Sequence, residues 1–246
     1  MKGALNPSGL PAVDQDPDAL GFAAKYAPII YADEREPFMP VAVGYTIFDR
    51  EGDSPSFVPR RRVEWVSPGY PAVRAIEYGI WWDYDIGHLY ELEHAWTFVG
   101  ANGDVVAVEA SWHGMFGQAE VDGAPVILKT HPVLLAQPGK HAMAVSPETF
   151  AEIREWAEQE AGPDSGKDGV LETELFQGRL PKTAENDARV MEYLKKLAFT
   201  PSWRFNKRFA VTRPMLIPWC AMEEWIPARV EWMLGRITPT RGQPRK

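Results

Sequence analysis

Between Val73 and Val145 the sequence places one β-strand signal after another at short spacing, and this run limits the fold more than any other feature. Its centre is Asn102–Gly103, set between two alternating apolar runs, His88–Val99 and Asp104–His113. Asn-Gly in that setting is the strongest short-range hairpin signal, because both residues tolerate positive φ. Val73–Asp85 reads as an extended segment that turns at Gly87. Pro125–Leu135 and His141–Val145 read as two more strands around the turn Gln137–Lys140. Upstream, Ile29–Tyr31 and Ala42–Asp49 carry strand patterns on either side of the proline-bounded turn Asp33–Pro40. Short strands with frequent turn signals predict a mainly β chain, an antiparallel β-sandwich over about residues 23–145.

At Ser146 the pattern changes. Ser146 offers an N-cap, Pro147 suits the first helical position, and Glu148 complements the helix dipole. Phe150, Ile153, Trp156 and Ala157 then recur at helical spacing. Thr183 caps a second predicted helix, Ala184–Phe199, which Pro201 stops. A third spans Pro218–Ile237 with a kink at Pro227. Residues 146–238 are therefore expected as a helical extension packed on the sandwich. Residues 1–22, broken by prolines and aspartates, read as a flexible arm or lid, and 239–246 as a disordered tail.

A net charge of −8 supplies no basic field for nucleic acid or an anionic membrane. No run of about 18 apolar residues predicts an integral membrane segment. The N-terminal residues lack the uninterrupted apolar stretch of a secretory signal. Cys220 is the single cysteine, so no intramolecular disulfide is possible, and a cytoplasmic location is expected. Beside Trp219 it reads as a buried packing residue. Arg60–Arg61–Arg62 reads as a solvated loop.

The chemistry-bearing residues gather in Trp81–His94, WWDYDIGHLYELEH, and all five histidines fall between positions 88 and 141. Ionisable groups among tryptophans are costly to bury unless their charge is compensated, and a divalent cation is the simplest compensator. Alternation puts Glu91 and Glu93 on one strand face, joined by Asp83 or Asp85 and, across the Gly87 bend, by His88. A two-residue loop at Asn102–Gly103 pairs Ala101 with Asp104. It then sets His94 opposite Ser111, Trp96 opposite Glu109 and Leu92 opposite His113. This groups His94, Glu109 and His113 on the other face, where they suit Mn²⁺, Fe²⁺ or Zn²⁺ and equally serve as candidate acid–base residues. The oxygen-rich first cluster suits Mg²⁺, Mn²⁺ or Ca²⁺ better than Zn²⁺.

Gly87-His88-Leu89-Tyr90-Glu91-Leu92-Glu93-His94 resembles the GHRHDWE motif, with its following His, of the necrosis- and ethylene-inducing-like proteins. Ala110–Gly114 resembles that family's Ser-x-His-Gly segment, and His131–Val133 through Lys140–Ala142 its His-Pro…Thr-His-Ala segment. The resemblance covers roughly residues 26–145 and implies a β-sandwich with a bound divalent cation. Its implied ligands are His88, Glu91 (an Asp in the family) and Glu93, with an upstream aspartate, Asp83 or Asp85. Leu89-Tyr90 replaces Arg-His, and Glu91-Leu92 replaces Asp-Trp. The family is secreted and usually has a disulfide, whereas this chain has one cysteine and an added helical C-terminus. The family's cytolytic activity is accordingly not expected.

Three functions are compatible with these residues. The first is a metal-dependent hydrolase or lyase acting on a small polar or carboxylate-bearing substrate. The second is a non-catalytic, cation-assisted module that binds a glycan or lipid headgroup. The third is a protein whose cation is purely structural.

Overall fold

The computed structural model describes residues 8–57 and 61–237. Two long strands, Ala72–Tyr84 and His88–Gly100, form the central hairpin of a seven-stranded sheet. Ala42–Phe48 pairs with the first of them. Val105–Trp112 and then Met115–Gln118 continue beyond the second. All of these pairs are antiparallel. Two short parallel strands complete the sheet, Leu216–Pro218 beside Ala42–Phe48 and Gly169–Val170 beside His88–Leu89.

Alternation along Ala72–Tyr84 gives the sheet two unlike faces. Tyr78 and Trp82 point to a second, five-stranded sheet and the helix laid against it. The Tyr78 hydroxyl donates to the Ala23 carbonyl at 2.7 Å, and Trp82 stacks on His141 at 4.7 Å. In that second sheet Ile29–Ala32 runs parallel to His131–Ala136 and antiparallel to Lys207–Ala210. On the opposite face Trp81 meets Trp225 of the C-terminal helix Trp219–Arg236 edge-on, with ring centroids 6.1 Å apart. Farther along this face, Phe57 and Trp65 cover Trp96 and Phe98 in a smaller core. The architecture is mainly β, a sandwich of two sheets with a helical layer, as the strand spacing predicts.

The hairpin register agrees with expectation through its body: Trp96 pairs with Glu109 and Phe98 with Ala107. Near the turn a bulge shifts Val99 onto Val105, and Gly103, at φ 84, closes the loop by donating its N–H to the Gly100 carbonyl. The expected strand Pro125–Leu135 is instead a tight hairpin, Ile127–Leu128 against His131–Pro132, turned at Lys129 with φ 63. The expected arm is partly structured, because Asp16 caps and Pro17 opens a helix, Pro17–Tyr26. Ser146 caps a 3₁₀ segment, Pro147–Ile153, that continues as the α-helix Arg154–Ala161. The helix opened by Thr183 ends at Lys195 rather than Phe199.

The region after residue 145 does not simply cover the sandwich. Gly169–Val170, Lys207–Ala210 and Leu216–Pro218 are strands of the two sheets, so the sheets cross the expected boundary at 145. Such two- to four-residue strands carry no periodicity of their own, which is why helical signals alone mark this region in the sequence. Cys220 is exposed rather than buried, because the first turn of its helix buries Trp219 and Met222 instead. The expected tail 239–246, the first seven residues and Arg60 lie outside the described residues. Among the described residues no helix is long and apolar enough to cross a membrane.

Candidate functional site

The strand His88–Gly100 pairs along one edge with Ala72–Tyr84. Its other edge is divided. His88 and Leu89 pair with Gly169 and Val170, and Ala95 onward pairs with Ala110 and the residues before it. Among the described residues no strand pairs with Tyr90–His94 on that side. Side chains take over its outward N–H groups: Leu92 donates to Glu91 Oε1 at 2.8 Å, and His94 donates to Ser111 Oγ at 2.6 Å. A cavity of about 290 Å³ opens on this gap, and all five residues from Tyr90 to His94 line it. Without a covering strand, side chains from both faces reach the same space.

Five ionisable side chains converge here in two overlapping groups, Asp85–His88–Glu91 and Glu91–Glu93–His113. Within each group the potential ligand atoms lie within 4.8 Å of one another. The bend at Gly87 brings Asp85 and His88 together. Asp85 Oδ1 accepts the Gly87 N–H at 2.6 Å, and a Cβ on Gly87 would sit 3.2 Å from Asp85, Asp168 and Lys140 side-chain atoms. His88 Nδ1 donates to the Tyr90 carbonyl at 2.8 Å. Its Nε2 lies 3.6 Å from Asp85 Oδ1 and 3.8 Å from Glu91 Oε2. His113 and Gly114, at φ 46 and 80, form the two-residue turn between Trp112 and Met115. The turn returns His113 to the cluster. Its N–H donates to Glu93 Oε1 at 3.2 Å, its Nδ1 is 3.9 Å from the same oxygen, and its Nε2 meets Gln137 Oε1 at 3.1 Å.

The cluster is nearly closed to water. Asp85 is fully buried, the Glu93 side chain is 3 % exposed, and the site opens through His113, whose side chain is 27 % exposed. Burial, reinforced by Glu93 and Asp85, pushes the Glu91 carboxyl well above its usual range. Burial also raises Glu93 to about 7, against its bonds from Ser111 and His113. Burial opposes ionisation of Asp85 as well, but His88, Lys140 and His141 outweigh it and hold this carboxyl low. Lys140 Nζ donates to Asp85 Oδ1 at 2.7 Å, while Asp85 Oδ2 has no hydrogen-bond partner. Burial lowers both His88 and His113, which favours neutral imidazoles.

Of the residues singled out in the sequence, Asp85, His88, Glu91 and Glu93 come together, and His113 joins them instead of His94 and Glu109. The pairing that would have kept His113 on the other face ends at Ala95–Ala110. Asp83 points away from the cluster to Arg229, whose Nε and Nη2 donate to its two oxygens at 2.9 and 2.6 Å. Glu109 is paired with Arg61 beneath the small core and accepts from the Tyr70 hydroxyl at 3.0 Å. His94 stacks on Trp96, meets Ser56 Oγ through Nε2 at 2.9 Å, and is lowered by burial to about 3. It lines the cavity but not the carboxylate group. Ser111, Gln137 and Lys140 also belong to the site. The Ser-Trp-His segment signals the first, whereas nothing local in the sequence marks the other two.

No family model matches the chain, and no curated protein matches it. Among solved structures it is similar to Necrosis and Ethylene inducing Protein 2 from the causal agent of cocoa's witches' broom disease. The identity is 16%, the TM-score is 0.36, and the match covers 56% of this chain and 71% of that one.

Proposed function

We propose that Asp85, His88, Glu91, Glu93 and His113 hold a divalent cation. On this reading the protein is a metal-dependent enzyme, of hydrolase or lyase type, acting on a small polar or carboxylate-bearing molecule. The observation that carries the reading is the orientation of His88. A carbonyl only accepts, so Nδ1–H is committed to Tyr90 and the Nε2 lone pair faces Asp85 and Glu91 at 3.6 and 3.8 Å. A bare lone pair between two ionised carboxylates is repulsive, and a cation or a proton among them relieves it. Gln137 anchors His113 in a similar way, and such outer partners are characteristic of metal-ligating imidazoles.

The donor chemistry fits. Asp85 Oδ2 is buried without a partner. A bound cation would favour ionisation of all three carboxylates, and against the ammonium of Lys140 these would leave two negative charges, which a divalent ion balances. Carboxylates favour Mg²⁺, Mn²⁺ or Ca²⁺ over Zn²⁺, and the second imidazole moves the preference within that group toward Mn²⁺. Such an ion, when bound, polarises a carbonyl or acidifies a water. His94, fixed through Nε2 by Ser56, shapes the cavity wall as a neutral imidazole, because burial lowers it to about 3. Glu109, tied to Arg61 and Tyr70, positions its neighbours and does not line the cavity. The single, exposed cysteine accords with a cytoplasmic location.

Near-complete burial of four of the five candidate ligands favours one alternative, a purely structural cation. Metal analysis of protein purified without added metal, beside the Glu93→Gln variant, tests the shared premise. Stoichiometric metal in the wild type and its loss in the variant are expected, and a metal-free wild type after metal-replete growth would overturn it. A structural ion lowers the melting temperature on chelation and leaves ligand binding unaltered. The catalytic reading requires that turnover disappear with the metal.

A further inference from the structure

The carboxylate cluster occupies only part of the cavity wall. Leu92, Leu171, Leu175 and Phe176 supply an apolar part, with Phe57 and the ring of Tyr90 beside them. Three of these, Leu92, Leu171 and Leu175, are only partly buried, although each packs on the main core. Leu92 belongs to the central strand, whereas Leu171 and Leu175 are brought there by the short parallel strand Gly169–Val170, which pairs with His88–Leu89 and directs the following segment, Leu171–Phe176, along the gap. The same backbone pairing that leaves Tyr90–His94 open thus brings an apolar wall to the candidate ligands. Apolar surface left facing water inside a concave site favours occupation by an apolar group, at about 25 cal/mol per Å² covered. The polar side chains of the described lining outside the candidate ligands are Ser56, Tyr90, His94 and Thr173, and no lysine or arginine is among them.

We infer that the molecule seated against the cation is an amphiphilic acid. Its anionic oxygen-bearing head lies on the cation, and its aliphatic or aromatic body lies against Leu92, Leu171, Leu175 and Phe176. This rests on the cation site proposed above, since among the described residues no lysine or arginine lines the cavity to receive an anionic head. With a water occupying about 30 Å³ of liquid, a cavity of about 290 Å³ takes a body on the order of ten water-sized groups. That is the scale of a phenyl-substituted acid. A sugar or an extended polar acid of equal size would leave hydroxyls unpaired against the leucines and is disfavoured.

Hydroxamates with one chelating head and different tails test this on the full chain. Mn²⁺ alone is first titrated calorimetrically, and the loaded protein is then titrated with acetohydroxamate and with benzohydroxamate. Benzohydroxamate is expected to bind at least about tenfold more tightly. Leu175→Ser should reduce that preference several-fold, leaving acetohydroxamate and Mn²⁺ affinities unchanged. If Mn²⁺ does not bind, the cation site is wrong and the inference falls with it. If Mn²⁺ binds but the two hydroxamates bind equally to the wild type, the inference alone is overturned. The wild-type comparison stands whether or not Leu175→Ser folds, and Leu171→Ser provides an independent second variant.

Discussion

His113 donates its backbone N–H to Glu93 Oε1 at 3.2 Å and holds its Nδ1 3.9 Å from that same oxygen. Twenty residues of sequence are closed by this contact, and Gln137 fixes the far side of the imidazole at 3.1 Å. Gln137 is fully buried, and its Nε2 has no hydrogen-bond partner, so its packing depends little on its polarity. Gln137→Met should therefore release the His113 ring while keeping side-chain volume. We expect cation affinity to fall by about 10–100-fold, the usual cost of losing an outer partner of a ligating histidine. The melting temperature should change little. Calorimetric titration with Mn²⁺ checks this, and an unchanged affinity would place His113 outside the ligand set.

Asp83 and Asp85 are two residues apart and have opposite tasks. Asp83 neutralises Arg229, which is 6 % exposed and lies over the Trp232 ring at 4.3 Å. The Asp83 side chain is 16 % exposed, so removing it costs less than the about 3–5 kcal/mol of breaking a fully buried pair. Asp83→Asn is still expected to lower stability and leave cation affinity unchanged. Asp85→Asn should weaken cation binding by at least about tenfold, because Asp85 belongs to the converging group. Denaturant melts and metal titrations of the two variants separate the roles. Equal loss of cation affinity in both would contradict the assignment.

Much of this was legible in the sequence because it is local. Alternation and Asn102–Gly103 fix the Trp96–Glu109 register, and Asp85, His88, Glu91 and Glu93 lie within nine positions of one another. Capping chemistry marks Ser146 and Thr183 as helix starts. The illegible part depends on where pairing stops. Strand alternation assigns His113 to the face of Glu109, yet it belongs to the opposite cluster because the ladder ends at Ala95–Ala110 and a tight turn follows. Gly169–Val170 is too short to show a period, so the gap it frames could not be anticipated. Lys140 and Gln137 reach the cluster from some fifty and twenty-four residues away, by contacts that no motif encodes.

The C-terminal helix is seated on the sheet by a pair of glycines. Gly44 and Gly79 face each other across neighbouring strands, and the Trp219 ring lies over both. A Cβ on Gly44 would stand 2.8 Å from Met222 Sδ and 2.8 Å from Trp219 Cε3. Both neighbours are buried, so the helix must move to accept it. Gly44→Ala should destabilise the protein by about 1–3 kcal/mol, the usual cost of overpacking. Near-ultraviolet circular dichroism should report the disturbed Trp219, and a variant as stable as wild type would show that the contact is not tight.

Glu77 gives a stability test that is independent of the cation. It is 1 % exposed beneath the small core and accepts from Ser56 Oγ and from Trp96 Nε1, the latter at 2.7 Å. Burial holds its carboxyl above the usual range, outweighing these hydrogen bonds and the charge of Arg61. The folded chain therefore keeps the Glu77 proton to higher pH than the unfolded chain does. Its favourable contribution is complete below the unfolded value of about 4.5 and is lost as pH rises through the folded one. Glutamine can accept from Trp96 and donate to Ser56 without a charge. Glu77→Gln should match wild type near pH 4 and exceed it at pH 8, by about 2–4 °C for each kcal/mol relieved in a chain of this length. Melting curves of both proteins across that range decide it: a difference that stays constant with pH would mean that folding leaves the Glu77 carboxyl unshifted, with burial and the hydrogen bonds cancelling.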